Sequence, residues 1–250
     1  MTDNENGYDI FICGGSEHFG MLEELLPKLQ PFGRVHLAST FLSDDEIKRL
    51  KPCYDLLHKP QHQSDGYKNF ELFCIRDINR IATRPHFIKL DADVRLREDW
   101  IDYVNRGVED HRQAVLFGTH RGQSNVTFEL SGSLVRRKCG REIQILEGLK
   151  VRGGFYVGKT EFFKQHDGLM QTLHEFLYCF RDGVRVKPSA KPDQWPEAEE
   201  RKFGPVMMRA GGNQSWESSS EDVLRSFVVH VAGAGDRLRV MDSGGAIWMP

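Results

Sequence analysis

His86-Phe87-Ile88-Lys89-Leu90-Asp91-Ala92-Asp93 is an apolar run that ends abruptly in two carboxylates with one residue between them. Side chains alternate along a strand, so residues i and i+2 share a face. Asp91 and Asp93 are therefore expected on one face at the carboxyl end of a strand, where open α/β sheets bind ligands. Two adjacent carboxylates repel unless a cation lies between them. An all-oxygen pair suits Mg²⁺ or Mn²⁺, ions that keep positions open for water or substrate phosphates. The stretch thus predicts a metal and a phosphorylated ligand at one strand tip. Aspartates also end many strands only to cap the next element, so the surrounding chain must decide.

Upstream, Tyr8 to Cys13 reads as a buried strand closed by Gly14-Gly15 and followed by a helix from Phe19 to Leu26. This first β-α unit can hold a nucleotide, or its glycines can simply make a tight turn, since G-x-G-x-x-G is absent. Arg34 to Ala38 is a second strand, and Cys53 to Leu57 a short third. Ser43-Asp44-Asp45-Glu46 has the pattern of a capping box that opens a helix to Leu50. His58 and His62 are four apart, but Pro60 between them forbids a helical metal pair, so both are expected in a solvated loop. Tyr67 to Ala82 carries Phe70, Phe73, Cys74, Ile78 and Ile81 at helical spacing. Arg76, Asp77, Asn79 and Arg80 interrupt that apolar face. They read either as a solvated face with an Arg–Asp pair or as an arginine and an asparagine beside a nucleotide sugar.

Downstream, Glu98-Asp99 is expected to cap a helix from Trp100 to Glu109, and strands are expected at Ala114 to Gly118 and Asn125 to Leu130. The cluster Arg136, Arg137, Lys138 and Arg141 reads as exposed surface. Val151 to Val157 reads as a strand with Gly153-Gly154 inside it, a mark of close approach by a ligand or another backbone. Helices are expected at Thr160 to His166 and Leu169 to Arg181. The Pro-, Lys- and Glu-rich stretch Lys187 to Gly204 reads as a flexible loop or lid. Ser218 to Asp222 opens a helix to about Val231, in which Ser218-x-x-Glu221 also fits a capping box. Arg237 to Met241 is a last strand, followed by a Gly-rich tail.

The 250 residues suit one α/β domain, and a net charge of −2 argues against a dedicated nucleic-acid or membrane-surface binder. The five cysteines, odd in number and without C-x-x-C, fit a reducing cytoplasm. The polar, acidic start lacks the pattern of a signal peptide. No apolar run approaches the ~20 residues of a transmembrane helix.

The motifs in order, Arg76…Asn79, Leu90-Asp91-Ala92-Asp93, Gly153-Gly154, Gly211-Gly212, Glu221-Asp222-Val223-Leu224-Arg225 and Gly235 to Val240, resemble those of the GT-A class of nucleotide-sugar-dependent glycosyltransferases, from residue 8 to about 242. The likeness is to that family's D-x-D, its glycine loops, and its x-E-D helix followed by a G-x-x-L-R-V strand. It implies one domain over residues 1–250 with a central mixed, mostly parallel sheet flanked by helices. Residues 8–118 would form the nucleotide-binding half and 119–250 the acceptor-side half. It implies that Asp93 binds Mn²⁺ or Mg²⁺ and that Asp91, beside Ala92, contacts the ribose or sugar and shares the metal through water. Cys13, Gly14, Gly15 and Ser16 would face base and ribose, with Arg76, Asn79, Gly153 and Gly154 lining the donor site. Asp222, or Glu221, would be the general base, and Trp216 would stack on an acceptor sugar. A UDP-sugar is the donor expected, with an acceptor hydroxyl of unknown identity. The family's metal-binding histidine after the last core strand has no counterpart here, where only Asp242 and Ser243 follow.

Two rival readings remain open on the sequence. Leu90-Asp91-Ala92-Asp93-Val94 also fits the D-x-D-x-V nucleophile motif of haloacid-dehalogenase-like phosphohydrolases, with Thr119 as a second-motif threonine. A GT-A fold can also serve as a non-catalytic nucleotide-sugar binding module.

Overall fold

In a computed structural model, the described backbone covers residues 7–39, 41–59, 73–119, 125–129, 145–149, 151, 153–170, 179–181, 184–186, 207–209 and 221–249. Strands β1 (Tyr8–Cys13), β2 (Gly33–Ala38), β3 (Leu56–His58) and β4 (His86–Asp91) run parallel to one another. Their near-continuous apolar sequences suit strands covered on both faces. Further along the chain come β5 (Arg95–Leu96), β6 (Leu116–Thr119), β7 (Asn125–Glu129), β8 (Ile145–Leu149) and β9 (Phe155–Lys159). They are followed by β10 (Cys179–Arg181), β11 (Val184–Val186), β12 (Met207–Arg209), β13 (Leu238–Met241) and β14 (Ile247–Trp248). The main sheet has seven strands in the order β13-β6-β9-β4-β1-β2-β3. β9 alone is antiparallel to its neighbours β4 and β6. The expected mixed, mostly parallel sheet flanked by helices is what the chain forms.

Alternation sorts the two faces. Phe11, Cys13, Ala38, Phe87 and Tyr156 pack beneath the turn at Phe73–Asp77, helix α3 (Ile78–Ile81), α5 (Thr160–Gln165) and α6 (Glu221–Val231). Ile10, Ile12, Leu37, Ile88 and Leu90 pack beneath α1 (Phe19–Leu29) and α4 (Trp100–Asp110). The short α2 (Asp44–Leu50) begins with the full capping box, Ser43 and Glu46 bonding reciprocally. Small sheets β12-β7-β8, β10-β11 and β14-β5 complete the described strands.

Several elements differ from the sequence reading. β4 stops at Asp91, and Ala92-Asp93 lies in a turn closed by Val94 N–H to Asp91 O at 3.2 Å. Gly153-Gly154 likewise forms a turn ahead of β9 rather than lying inside a strand. The expected helix Tyr67 to Ala82 is described only from Phe73, where a wide π turn precedes α3. Arg181 ends a strand of the β10–β11 hairpin, not a helix. The third strand is displaced to Leu56–His58 because Lys51–Cys53 makes a 3-10 turn. The Gly-rich tail contains β14, paired antiparallel with β5, a strand of two residues and too short to show a period. The arginine cluster near Arg136, the stretch Lys187 to Gly204, His62, Gly211-Gly212 and Trp216 lie outside the described residues.

Candidate active site

The carboxyl ends of β1 and β4 meet at Cys13, which is in register with Asp91. Ala92 N–H donates to Cys13 O at 3.1 Å, and Asp91 N–H donates to Gly154 O at 3.0 Å, so backbone on both sides fixes the tip. Gly14 allows this closeness, because a Cβ there would stand 2.7 Å from Ala92 Cβ. Ala92 and Val94 are buried while Asp91 and Asp93 are half-buried. Alternation of burial therefore persists through the turn, and both acids look out of the sheet edge.

Behind them stands Lys89, two residues back on the same face and 1% exposed. Its Nζ donates to Asp91 Oδ1 at 2.7 Å and to Gly153 O at 2.6 Å, and lies 5.7 Å from the centre of the Tyr156 ring. The Asp91 side chain, 42% exposed, thus carries an internal cation on one oxygen. Asp93 makes no hydrogen bond or ion pair among the described residues. The glycine pair works through its carbonyls: Gly153 O holds Lys89 and Gly154 O holds β4, while Met249 closes over the Gly154 α-carbon.

No group of three His, Cys, Asp or Glu suited to a metal occurs among the described residues. The donor set still fits a hard divalent ion. Asp93 offers carboxylate oxygens without a partner among the described residues, and such ions take few protein ligands and complete their shell with water and phosphate oxygens.

The remaining expected residues divide. Ser16 is exposed, donates to Phe41 O, and reaches Glu46 Oε2 of the capping box at 3.1 Å. Arg76 Nε pairs with the neighbouring Asp77 Oδ1 at 2.6 Å, the solvated pair that the sequence allowed. Asn79 is enclosed. Its amide donates to Ile75 O at 2.9 Å, and its Oδ1 accepts from Arg225 at 3.0 Å, which places it in the core rather than at the rim. Cys13 touches Cys74, sulfur to sulfur at 3.6 Å, with no disulfide between them. Glu221 and Asp222 form the first turn of α6, but their side chains lie outside the described residues.

Two features were missed on the sequence. Arg225, in the apolar run Val223 to Val231, is fully buried and binds Tyr156 Oη, Asn79 and Cys74 O. His58, expected in solvent, instead stacks on His36 and bonds its Nδ1 through Nε2 at 3.0 Å, while His36 Nε2 lies 3.2 Å from Asp9 Oδ1. Burial pushes His58 down to about 4, with His36 beside it adding to the shift. The signal for Arg225 was a polar residue at an inward position of an apolar element, a pattern usually read as a break in the core.

No family model matches the chain, and no curated protein matches it. Among solved structures, the chain is similar to the glycosyltransferase GlyE of Streptococcus pneumoniae TIGR4, at 11% identity and TM-score 0.49, over 94% of this chain and 45% of that one. It is also similar to TarS 1-349 of S. aureus, at 11% identity and TM-score 0.46, over 95% and 58% of the two chains. A third likeness, at 12% identity and TM-score 0.41 over 75% and 58%, is to the mannosyltransferase PcManGT of Pyrobaculum calidifontis in complex with GDP-Man and Mn²⁺. This chain therefore spans about half the length of these proteins.

Proposed function

We propose that the chain is a metal-dependent glycosyltransferase that takes its sugar from a nucleotide-diphosphate donor, with a UDP-sugar the first to test. One observation supports the reading: both acids of the D-x-D pair are half-exposed at the carboxyl end of a central strand, and among the described residues a buried lysine backs the first of them and none the second. In this reading Asp93 holds Mn²⁺ or Mg²⁺. The ion supplies Lewis-acid stabilisation of the leaving diphosphate. Asp91, oriented by Lys89, presents its other oxygen to the donor ribose or sugar, as the family resemblance implies. Cys13 to Ser16 border the base and ribose. Asp222, with Glu221 beside it, takes the proton from the acceptor hydroxyl.

A thermal-shift panel of nucleoside diphosphates with and without Mn²⁺ tests the donor assignment. Binding at one hundred times Kd stabilises a protein by about 2.7 kcal/mol, which moves the midpoint by several degrees. UDP with Mn²⁺ is expected to shift it, and Asp93→Asn to remove the metal-dependent part. Loss of donor hydrolysis in Asp222→Asn, with UDP binding retained, marks an enzyme rather than a binding module. A shift with beryllofluoride and Mg²⁺, and none with any nucleotide, would instead favour phosphohydrolase chemistry at Asp91.

A further inference from the structure

Arg225 is a fully buried guanidinium that forms no ion pair among the described residues. Such a cation is costly unless its donors are satisfied. Here Nε donates to Tyr156 Oη at 2.8 Å, Nη1 to Asn79 Oδ1 at 3.0 Å and Nη2 to Cys74 O. Its plane lies against Phe87 and Phe163, with ring centres 4.9 and 4.7 Å away. Asn79 passes the interaction on to Asp167 Oδ1 at 3.2 Å. Arg225 stands one helical turn after Glu221-Asp222. Its neighbour Ser226 accepts from Val151 N–H at 3.2 Å, two residues before the Gly153 carbonyl that holds Lys89. Tyr156 is paired in register with Lys89, and two buried cations, Lys89 and Arg225, lie 5.7 and 5.5 Å from its ring centre.

We propose that Lys89, Tyr156 and Arg225 form a buried strut that sets the Asp91 tip of β4 and the acidic first turn of α6 in fixed register. The three are positioning residues for the transfer reaction, and their functional role rests on the glycosyltransferase reading. Apolar packing of Phe227, Val228 and Val229 already seats α6 on the sheet, and directional polar contacts add a register that non-directional packing alone does not set. A catalytic pair misplaced by about 1 Å loses on the order of a hundredfold in rate. Three successive contacts supply that constraint: ammonium to carboxylate, ammonium to aromatic ring, and guanidinium to phenol oxygen.

The test uses Tyr156→Phe in the full chain, which keeps the ring faces and deletes only the oxygen that receives Arg225 Nε. Hydrogen exchange of the Arg225 to Val228 amides is expected to rise at least tenfold, with exchange in Ile10 to Ile12 unchanged. Unchanged exchange in α6, or an equal rise throughout the core, would overturn the strut, and this readout needs no activity. In turnover, kcat should fall about tenfold with UDP–Mn²⁺ affinity within twofold. A wild-type chain that binds no nucleotide would sink the functional reading while leaving the exchange result to judge the strut. If Arg225→Lys restored more of the wild-type exchange pattern than Arg225→Met, the guanidinium's donors would be identified as the working part. Equal exchange in the two would show that only packing matters, and would overturn the proposal.

Discussion

Two aspartates of the central sheet, Asp9 on β1 and Asp91 on β4, each meet basic side chains, and they are treated oppositely. Asp9 lies at the amino end of its strand with its carboxylate entirely buried. It accepts from Arg34 Nη2 at 2.7 Å, from the backbone N–H groups of Thr83 and Arg84 at 2.5 and 2.9 Å, and from His36 at 3.2 Å. Burial alone would raise its pKa, but these hydrogen bonds, His36 first among them, hold it well below the usual carboxylate range. Asp91 lies at the carboxyl end, nearly half exposed, with one ammonium on one oxygen. A carboxylate whose acceptor sites are filled by its own chain is part of the scaffold. One that is anchored on one side and open on the other can meet a ligand without unfolding its support.

The largest test of this contrast is Asp9→Ala. Removing one partner from a buried charged cluster strands the others, at about 3 kcal/mol. Urea unfolding should show that loss, while UDP–Mn²⁺ binding to the folded protein stays near wild type. Lys89→Met should cost less, about 1–2 kcal/mol by the same measurement. Methionine fills the buried stem's volume, and the half-exposed Asp91 can turn to water. A cost for Lys89→Met as large as for Asp9→Ala would erase the distinction between the two acids.

Histidine chemistry gives a smaller, pH-resolved effect. His58 is held near 4 in the folded chain against about 6.5 when unfolded, so its contribution is complete above pH 6.5 and lost as pH falls toward 4. Asp9 adds to the acid loss at lower pH, from the ordinary carboxylate range downward, because its folded value is depressed below its unfolded one. About 1 kcal/mol of the stability lost between pH 7.5 and 5 should disappear in His58→Gln, allowing for the partial exposure of the ring. An identical pH slope in that variant would mean that His58 is protonated in place.

The same contrast explains what could be read from the sequence. The parallel strands at Tyr8–Cys13, Gly33–Ala38 and His86–Asp91 announce themselves through apolar runs and the helix at Ser43 through its capping box. The expected cap at Asp99, by contrast, does not form, because the Asp99 carboxylate pairs with Arg97 instead. The outward acids were legible because alternation and burial agree through Val94. Lys89, Arg225 and His36 were not, because a long polar side chain inside an apolar run is ordinarily exposed. Only the tertiary partners, Gly153 O, Tyr156 Oη and Asp9, make their burial possible. Asn79 was expected at the donor site from the family resemblance, or on a solvated face; it is enclosed, and one of its partners, Arg225, is 146 residues away in the chain. The turns at Ala92-Asp93 and Gly153-Gly154 were read as strand because their ends are fixed by bonds between strands, which a single stretch does not display.

Asp93→Asn is expected to have the smallest effect on stability and the most selective effect on function. The side chain is half-buried and makes no described ion pair, so its replacement by an isosteric amide should change unfolding free energy by less than about 0.5 kcal/mol. Asparagine keeps one acceptor oxygen but loses the charge that recommends the site to a divalent ion. The Mn²⁺-dependent part of nucleotide binding should therefore fall at least tenfold by calorimetry, while metal-free nucleotide binding stays within twofold. Asp91→Asn should differ from it in kind, because it also releases Lys89 and so lowers stability. If Asp93→Asn destabilised the chain as much as Asp91→Asn, the outward carboxylate would be a structural cap after all, and the asymmetry within the D-x-D pair would carry no function.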